Sequence, residues 1–396
     1  MRRVYLDNNA TTRVDETVVA KMLPYLTDEF GNASSSHLFG VEVAGAVRAA
    51  RRNVQALLGA AHDHEIVFTS GGTEADNTAI LAALDAREGR DEIVTTRVEH
   101  PAILSLVEYL QEKRGVKTHF IGVDEHGRIN IDAYRAALGP KTAIVSVMWA
   151  NNETGTLFPV AELAGYAHEA GALFHTDAVQ AVGKTPIDLK STQIDLLSLS
   201  GHKLHGPKGI GALYVRKGTK FSPFIRGGHQ ERARRGGTEN VPGIIGLGAA
   251  AELALARLAE DEAHIRALRD RLESSVLRDI GHCRVSGDAP NRLCNTSNIA
   301  FFDIEGEAIL GHLDRAGVAA STGSACTAGS TEPSHVLQAM NLPPEALRGA
   351  VRFSFSRENT AEDVDRVLEI LPGIVHKLRE ISLASRDSEA RMGAAS

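Results

Sequence analysis

Between about residues 64 and 218 the chain alternates short apolar, β-branched runs with longer stretches that repeat at helical spacing. The runs are Glu65–Thr69, Glu92–Thr96, Thr118–Val123, Thr142–Met148, Leu173–His175, Asp195–Leu199 and Gly211–Val215. Between them lie Thr73–Ala86, Pro101–Arg114, Ile131–Leu138 and Val160–Ala170. Near-continuous apolar strands separated by helices predict an α/β fold, a mostly parallel sheet of seven strands flanked by helices. Ligands of such sheets sit beyond the carboxyl ends of the strands, so the residues just after each run are the first to read for chemistry.

An Ala-, Leu- and Glu-rich stretch, about Gly243–Leu277, predicts a long helix bridging two units. A smaller α+β segment follows, with strand-like runs at Ser297–Phe302 and Val351–Phe355. A helical pattern over Ala361–Ser382 is expected to break or kink at Pro372. The aperiodic polar residues 383–396 read as a mobile tail. The expected division is a large domain over 16–260, a small domain from 1–15 and 261–382, and the tail.

The 396 residues carry a net charge of −7, which gives no basis for a general nucleic-acid or membrane partner. No apolar run is expected to approach the roughly 18 residues needed to span a bilayer, and the start, Met1–Thr12, has no apolar signal core. Three cysteines, Cys283, Cys294 and Cys326, are too few and odd in number for a disulfide framework, and fit a reducing cytoplasm.

Five segments carry candidate chemistry. In Asp195–Gly209 a strand runs through Ser200, Gly201 and His202 to Lys203, where a lysine can form a Schiff base and its neighbours can donate to a phosphate. In Phe68–Asn77 a strand turns through Gly71 and Gly72 into a helix at Thr73; this reads both as an anion site and as a plain cap with Asp76 at the third helical position. His100 precedes Pro101 and on position alone is a capping histidine, although an imidazole there can also lie against an aromatic ring. Asp177 follows His175 at a strand end, where a carboxylate can keep a pyridine nitrogen protonated, with Gln180 three residues on; a buried hydrogen-bonded pair or a metal pair are the other readings. Asn152, in Asn151–Gly155, reads as a ring or substrate ligand or as a turn residue.

Three further features lie outside the sheet ends. The basic loop Arg226–Thr238 reads as a local anion or subunit contact. Small residues flank Cys326 on both sides, which leaves a thiol open to ionise and attack, whereas Cys283 and Cys294 lack that setting. Arg352 alternates on a predicted strand, from which a guanidinium can clamp a carboxylate.

Together these segments resemble the cysteine desulfurases of the class V aminotransferase family, fold type I pyridoxal-phosphate enzymes, and among them the NifS branch that serves nitrogenase. The resemblance runs from Tyr5–Thr12 to about Ser382 and is carried by Met148–Thr156, Ser198–His205, Gly227–Arg232 and Ser324–Ser330. It departs from the family at Ala33 and Cys294, where proline is usual.

The resemblance implies pyridoxal 5′-phosphate held covalently by Lys203, which also moves protons. It implies His100 against the ring, Asp177 on the pyridine nitrogen, and Gln180 and Asn152 on the ring-oxygen side. Gly72, Thr73, Ser200 and His202 would hold the phosphate, with Thr238 reaching it from the other subunit. Arg352 would bind the substrate carboxylate, and Cys326 would accept the sulfur of L-cysteine. It further implies a homodimer and an iron–sulfur scaffold protein as sulfur acceptor. No intrinsic metal is expected; Cys326 would touch an iron–sulfur cluster only as transferred cargo. An aminotransferase or selenocysteine lyase on the same fold, and a non-enzymatic dimeric scaffold, are the competing readings.

Overall fold

The computed structural model describes residues 3–323 and 333–393, with side chains as far as Leu383. Twelve strands are assigned among these residues: β1 Val4–Tyr5, β2 Ile66–Thr69, β3 Glu92–Thr96, β4 Lys117–Ile121, β5 Thr142–Ser146, β6 Leu173–Asp177, β7 Leu196–Ser200, β8 Gly211–Val215, β9 Cys283–Ser286, β10 Thr296–Phe301, β11 Val318–Ala319 and β12 Ala350–Ser354.

Seven of them form the main sheet, in the order β2-β8-β7-β6-β5-β3-β4. Only β8 runs against its neighbours; the β3–β4, β3–β5, β5–β6 and β6–β7 pairs are all parallel. Adjacent residues on these strands face opposite sides of the sheet and join different cores. Val94, Val145, Phe174, Leu197 and Tyr214 enter one core, while their neighbours Ile93, Ile144, Leu173, Leu196 and Leu213 enter the other. Burial on both faces is why the runs read as continuous rather than alternating.

The first of these cores is closed by two long helices, Leu38–Leu57 and Val241–Asp279, which pack against each other. Their contact is close because Gly248 lies on Ala50, where an added Cβ would come within 2.5 Å of the Ala50 Cα. The helix Val241–Asp279 holds one window long and apolar enough to cross a membrane, but 56% of it is buried in the fold.

The antiparallel sheet β12-β10-β9 has its own core, which includes Leu272, Ile299, Phe301, Val351, Phe353, Val367 and Leu371. The parallel pair β1–β11 lies beside it. The N-terminal segment after β1 runs from this sheet toward the main one: Asn8 donates to the Ser354 carbonyl at 2.9 Å, while Thr12 donates its N–H to the His202 carbonyl at 2.9 Å.

Two expectations fail. The last helix runs unbroken over Ala361–Gly393, so neither Pro372 nor Ser382 ends it. An apolar stripe, Val364, Val367, Leu371 and Val375, crosses the proline and is buried in one core on both sides of it, which holds the helix together where one backbone bond is missing. The helix Leu38–Leu57 was also not anticipated, because its buried face is built from valines and small residues set among arginines.

Candidate active site

The ends of five strands converge on one cavity of about 380 Å³. Gly72 and Thr73 follow β2, His100 follows β3, Asn152 follows β5, Asp177 ends β6, and Ser200, His202 and Lys203 end or follow β7; all line the cavity together with Gln180 and Arg352. The parallel topology places these residues on one edge of the sheet, since β2, antiparallel to the antiparallel β8, points the same way as β7.

Lys203 closes a short 3₁₀ turn, Gly201–Lys203, and its ammonium donates to the carbonyls of Asn9 at 2.5 Å and Ala10 at 2.7 Å. His202 meets the Thr11 hydroxyl at 3.1 Å. Burial and the neighbouring Lys203 push the His202 imidazole down to about 4, so it is neutral near pH 7. Gly72 opens the helix Gly72–Ala86, and a Cβ there would fall 2.8 Å from the Val179 side chain. A helix N-terminus, a close glycine approach, Thr73, Ser200 and His202 thus form a donor-rich end suited to a phosphate.

Asp177 accepts a hydrogen bond from the Val179 N–H at 2.9 Å, and burial raises its carboxyl while His100 and Lys203 oppose the rise. Behind it lie two more buried acids. Burial raises Asp76 well above the carboxylate range with Asp177 adding to the rise, and burial pushes Glu99 up to about 8. Like charges this close do not ionise together. Asp177 is the one of the three acids whose rise His100 and Lys203 oppose. His175 is neither a metal ligand nor Asp177's partner: it lies between the hydroxyls of Ser146 and Ser198, each 2.9 Å away, and burial pushes it down to about 3.

His100 caps the helix Pro101–Arg114, its Nδ1 accepting from the Ala102 N–H at 3.1 Å, and burial lowers its pKa. It caps the helix and lines the cavity at once. Arg352 is fully buried; it donates to Asp7 Oδ1 at 2.7 Å and to the Asn152 carbonyl at 2.9 Å.

Thr238 is exposed and does not line the cavity. Cys326 lies outside the described residues; in sequence it stands three positions after Gly323, which lines the cavity. Of the other thiols, burial raises Cys283 and pushes Cys294 up to about 11, which keeps both protonated. The loop Arg226–Thr238 spends several charges within the chain. Glu231 binds Arg51 at 2.7 Å, Arg235 binds Glu74 at 2.9 Å, and Arg234 donates to the His64 carbonyl.

Several lining residues had no role in the sequence reading. Asn9 and Ala10 supply carbonyls to Lys203, and Gly323 ends the wall; Asp7, outside the lining, holds Arg352. Their signal was present in Tyr5–Thr12, a polar run with no apolar period, but such a run does not tell which atoms work.

The donor set fits a flat aromatic aldehyde bearing a phosphate: a lysine for the aldehyde, a carboxylate for a ring nitrogen, an imidazole for a ring face and the helix terminus for the phosphate.

Residues 4–367 match the family described as "Aminotransferase class-V". A relative named "Cysteine desulfurase", from Gluconacetobacter diazotrophicus, is 66% identical over 96% of this chain and 96% of its own length. A second, "Cysteine desulfurase NifS" of Azotobacter vinelandii, is 58% identical over 96% of this chain and 95% of its own. A solved structure titled "NIFS-LIKE PROTEIN" superposes with a TM-score of 0.89 at 36% identity, over 95% of this chain and all of that one.

Proposed function

The chain belongs to the class V aminotransferase family, and from that premise we propose that it is a cysteine desulfurase: with pyridoxal 5′-phosphate it takes sulfur from L-cysteine onto Cys326 and leaves L-alanine. One observation carries the reading. Lys203, Asp177 and Arg352 share a single cavity whose wall ends at Gly323, three residues before Cys326.

When bound, the cofactor supplies an electron sink that makes the substrate's α-proton acidic and its carbon–sulfur bond labile. The remaining work falls to side chains. Arg352, held by Asp7 and the Asn152 carbonyl, orients the substrate carboxylate. Lys203 moves a proton at the substrate's α-carbon; the Asn9 and Ala10 carbonyls hold its ammonium. Asp177 keeps the ring nitrogen protonated. Gly72, Thr73, Ser200 and His202 hold the phosphate.

The thiolate of Cys326 attacks the substrate sulfur, forming a sulfur–sulfur bond as the carbon–sulfur bond breaks. The electron pair of the broken bond stays with carbon, which gains a proton. One thiol and one cysteine become one persulfide and one alanine, with no outside oxidant.

The finer assignments belong to the same proposal. Two copies of the chain form the working unit, with Thr238 serving the other copy's phosphate site; its exposure away from its own cavity supports this. The sulfur passes to an iron–sulfur scaffold protein for nitrogenase cluster assembly, in the cytoplasm. The boundary near residue 260 and the grouping of 1–15 with 261–382 are supported by the separate core of β9, β10 and β12.

Incubation of the holoenzyme with L-cysteine and a reductant should yield alanine and sulfide in equal amounts. Cys326→Ala should keep the yellow cofactor and form no persulfide. Intact turnover by that variant would instead mark the aminotransferase alternative.

A further inference from the structure

Gln180 lines the cavity, and its amide is held from both sides. Its Oε1 accepts from the Lys184 ammonium at 2.8 Å, and its Nε2 donates to the Asn9 carbonyl at 2.9 Å. The same ammonium donates to the Gln180 carbonyl at 3.1 Å, so both of its bonds go to one residue. A lysine ammonium has only donors and a carbonyl only acceptors. Turning the amide over would set NH₂ against ammonium and oxygen against oxygen at these distances. While Lys184 is protonated, the amide's orientation is therefore fixed by chemistry, and one N–H of Nε2 remains for an acceptor in the cavity.

We propose that Lys184 is a positioning residue that locks the Gln180 amide so that it presents an N–H, not a carbonyl, to the ring oxygen of the bound cofactor. This rests on the pyridoxal-phosphate reading above. Lys184 keeps part of its stem at the surface while its ammonium lies at the enclosed end. Burial first, then the neighbouring Lys203, push it down to about 7. The other groups near it are Cys294 and Arg352. His202 and His205 feel its charge, and Asp261 and Arg357 line the small cavity it shares with Lys203. The network reaches the reacting lysine directly, because the Asn9 carbonyl also accepts from Lys203 at 2.5 Å.

The test is a pH titration of the bound cofactor's absorbance. A cation nearby and a donor on the ring oxygen both weaken the hold on the chromophore's proton, so losing Lys184 should raise the midpoint. Lys184→Met is expected to raise it by about one pH unit, a tenfold change in proton affinity, and Lys184→Arg to restore it. In a Gln180→Leu background the added Lys184→Met shift should be clearly smaller, because the two residues act as one unit. Should Lys184→Met not fold, Lys184→Gln, neutral but still a donor, should stay closer to wild type than to Gln180→Leu. Superimposable wild-type and Lys184→Met titrations would overturn the proposal. So would additive shifts in the double variant, which would mean that the charge acts alone. A wild-type protein that binds no coloured cofactor would instead overturn the reading beneath it.

Discussion

Ser334→Ala offers a test in which the magnitude can be worked from contacts. The Ser334 hydroxyl donates to the buried carboxylate Glu153 Oε2 at 2.5 Å and accepts from the N–H groups of Val336 at 3.1 Å and Leu337 at 3.3 Å. Removing it deletes a helix cap, about 1 kcal/mol, and leaves a buried carboxyl without its donor, about 1–3 kcal/mol. The expected loss is about 2–4 kcal/mol by urea denaturation, with Ser334→Thr close to wild type. The loss depends on pH. Burial raises Glu153 above its unfolded value, and Ser334 holds that rise back. A raised acid contributes its full stability below the unfolded pKa of about 4.3 and loses it as pH climbs through the folded value. Without Ser334 the folded value rises further, so more is lost on the alkaline side. The gap between variant and wild type should therefore narrow as pH falls toward the carboxylate range. A loss below about 1 kcal/mol, or a gap that widens in acid, would refute the reasoning. Glu153 also lies against Gly323, where a Cβ would fall 2.8 Å from Oε2. One carboxyl thus touches Gly323, on one side of the segment carrying Cys326, and Ser334, near its other side, and the variant should slow persulfide formation while leaving the cofactor's colour intact.

Other outcomes follow from the same geometry. Asp177→Asn should keep the cofactor but slow alanine formation by ~100- to 1,000-fold, the usual cost of removing a preorganised electrostatic partner, as single-turnover measurements would show. Arg352→Lys keeps a charge but loses the fork; losing one charged hydrogen bond, about 1.5–3 kcal/mol, should raise KM for cysteine roughly 10- to 150-fold with the cofactor spectrum unchanged. Gly248→Leu should lower stability by roughly 1–3 kcal/mol through overpacking against Ala50, read as a fall in thermal midpoint with the spectrum of the bound cofactor preserved.

The main sheet was legible because each strand is apolar on both faces, and that pattern gives strand-like runs whatever lies around them. The predicted Glu92–Thr96, Gly211–Val215 and Pro101–Arg114 coincide with observed elements residue for residue. Rule-breaking residues misled the reading where packing overrides them, as at Pro372. The helix also continues to Gly393, past Ser382, where the periodic pattern ends. At the site, residues that act through side chains at strand ends could be picked out from type and place. Residues that act through backbone carbonyls, such as Asn9 and Ala10, leave no mark in residue type. Lys184 was invisible for a related reason: its partner is the amide of Gln180, four positions away, and nothing in a lysine's letter says that its charge points inward.

The N-terminal segment carries a consequence for how the site is assembled. Asn9 donates to Thr296 Oγ1 at 2.8 Å on β10 and to the Asn152 carbonyl at 3.0 Å on the main-sheet side. Its own side-chain oxygen accepts from Asn295 at 2.9 Å, and its backbone carbonyl takes both Lys203 and Gln180. Asp7, two residues earlier, holds Arg352 at 2.7 Å. One short stretch therefore fixes the distance between the group that would grip a substrate carboxylate, on β12, and the lysine that would move its α-proton, after β7. Neither sheet alone sets that distance. A misplacement of about 1 Å between reacting groups can cost ~100-fold in rate. Asn9, which leaves both of those side chains intact when altered, should accordingly weigh on turnover far more than its type suggests: Asn9→Ala is expected to keep the bound cofactor's colour while lowering kcat, and equal kcat in variant and wild type would show that the strap does not set the spacing.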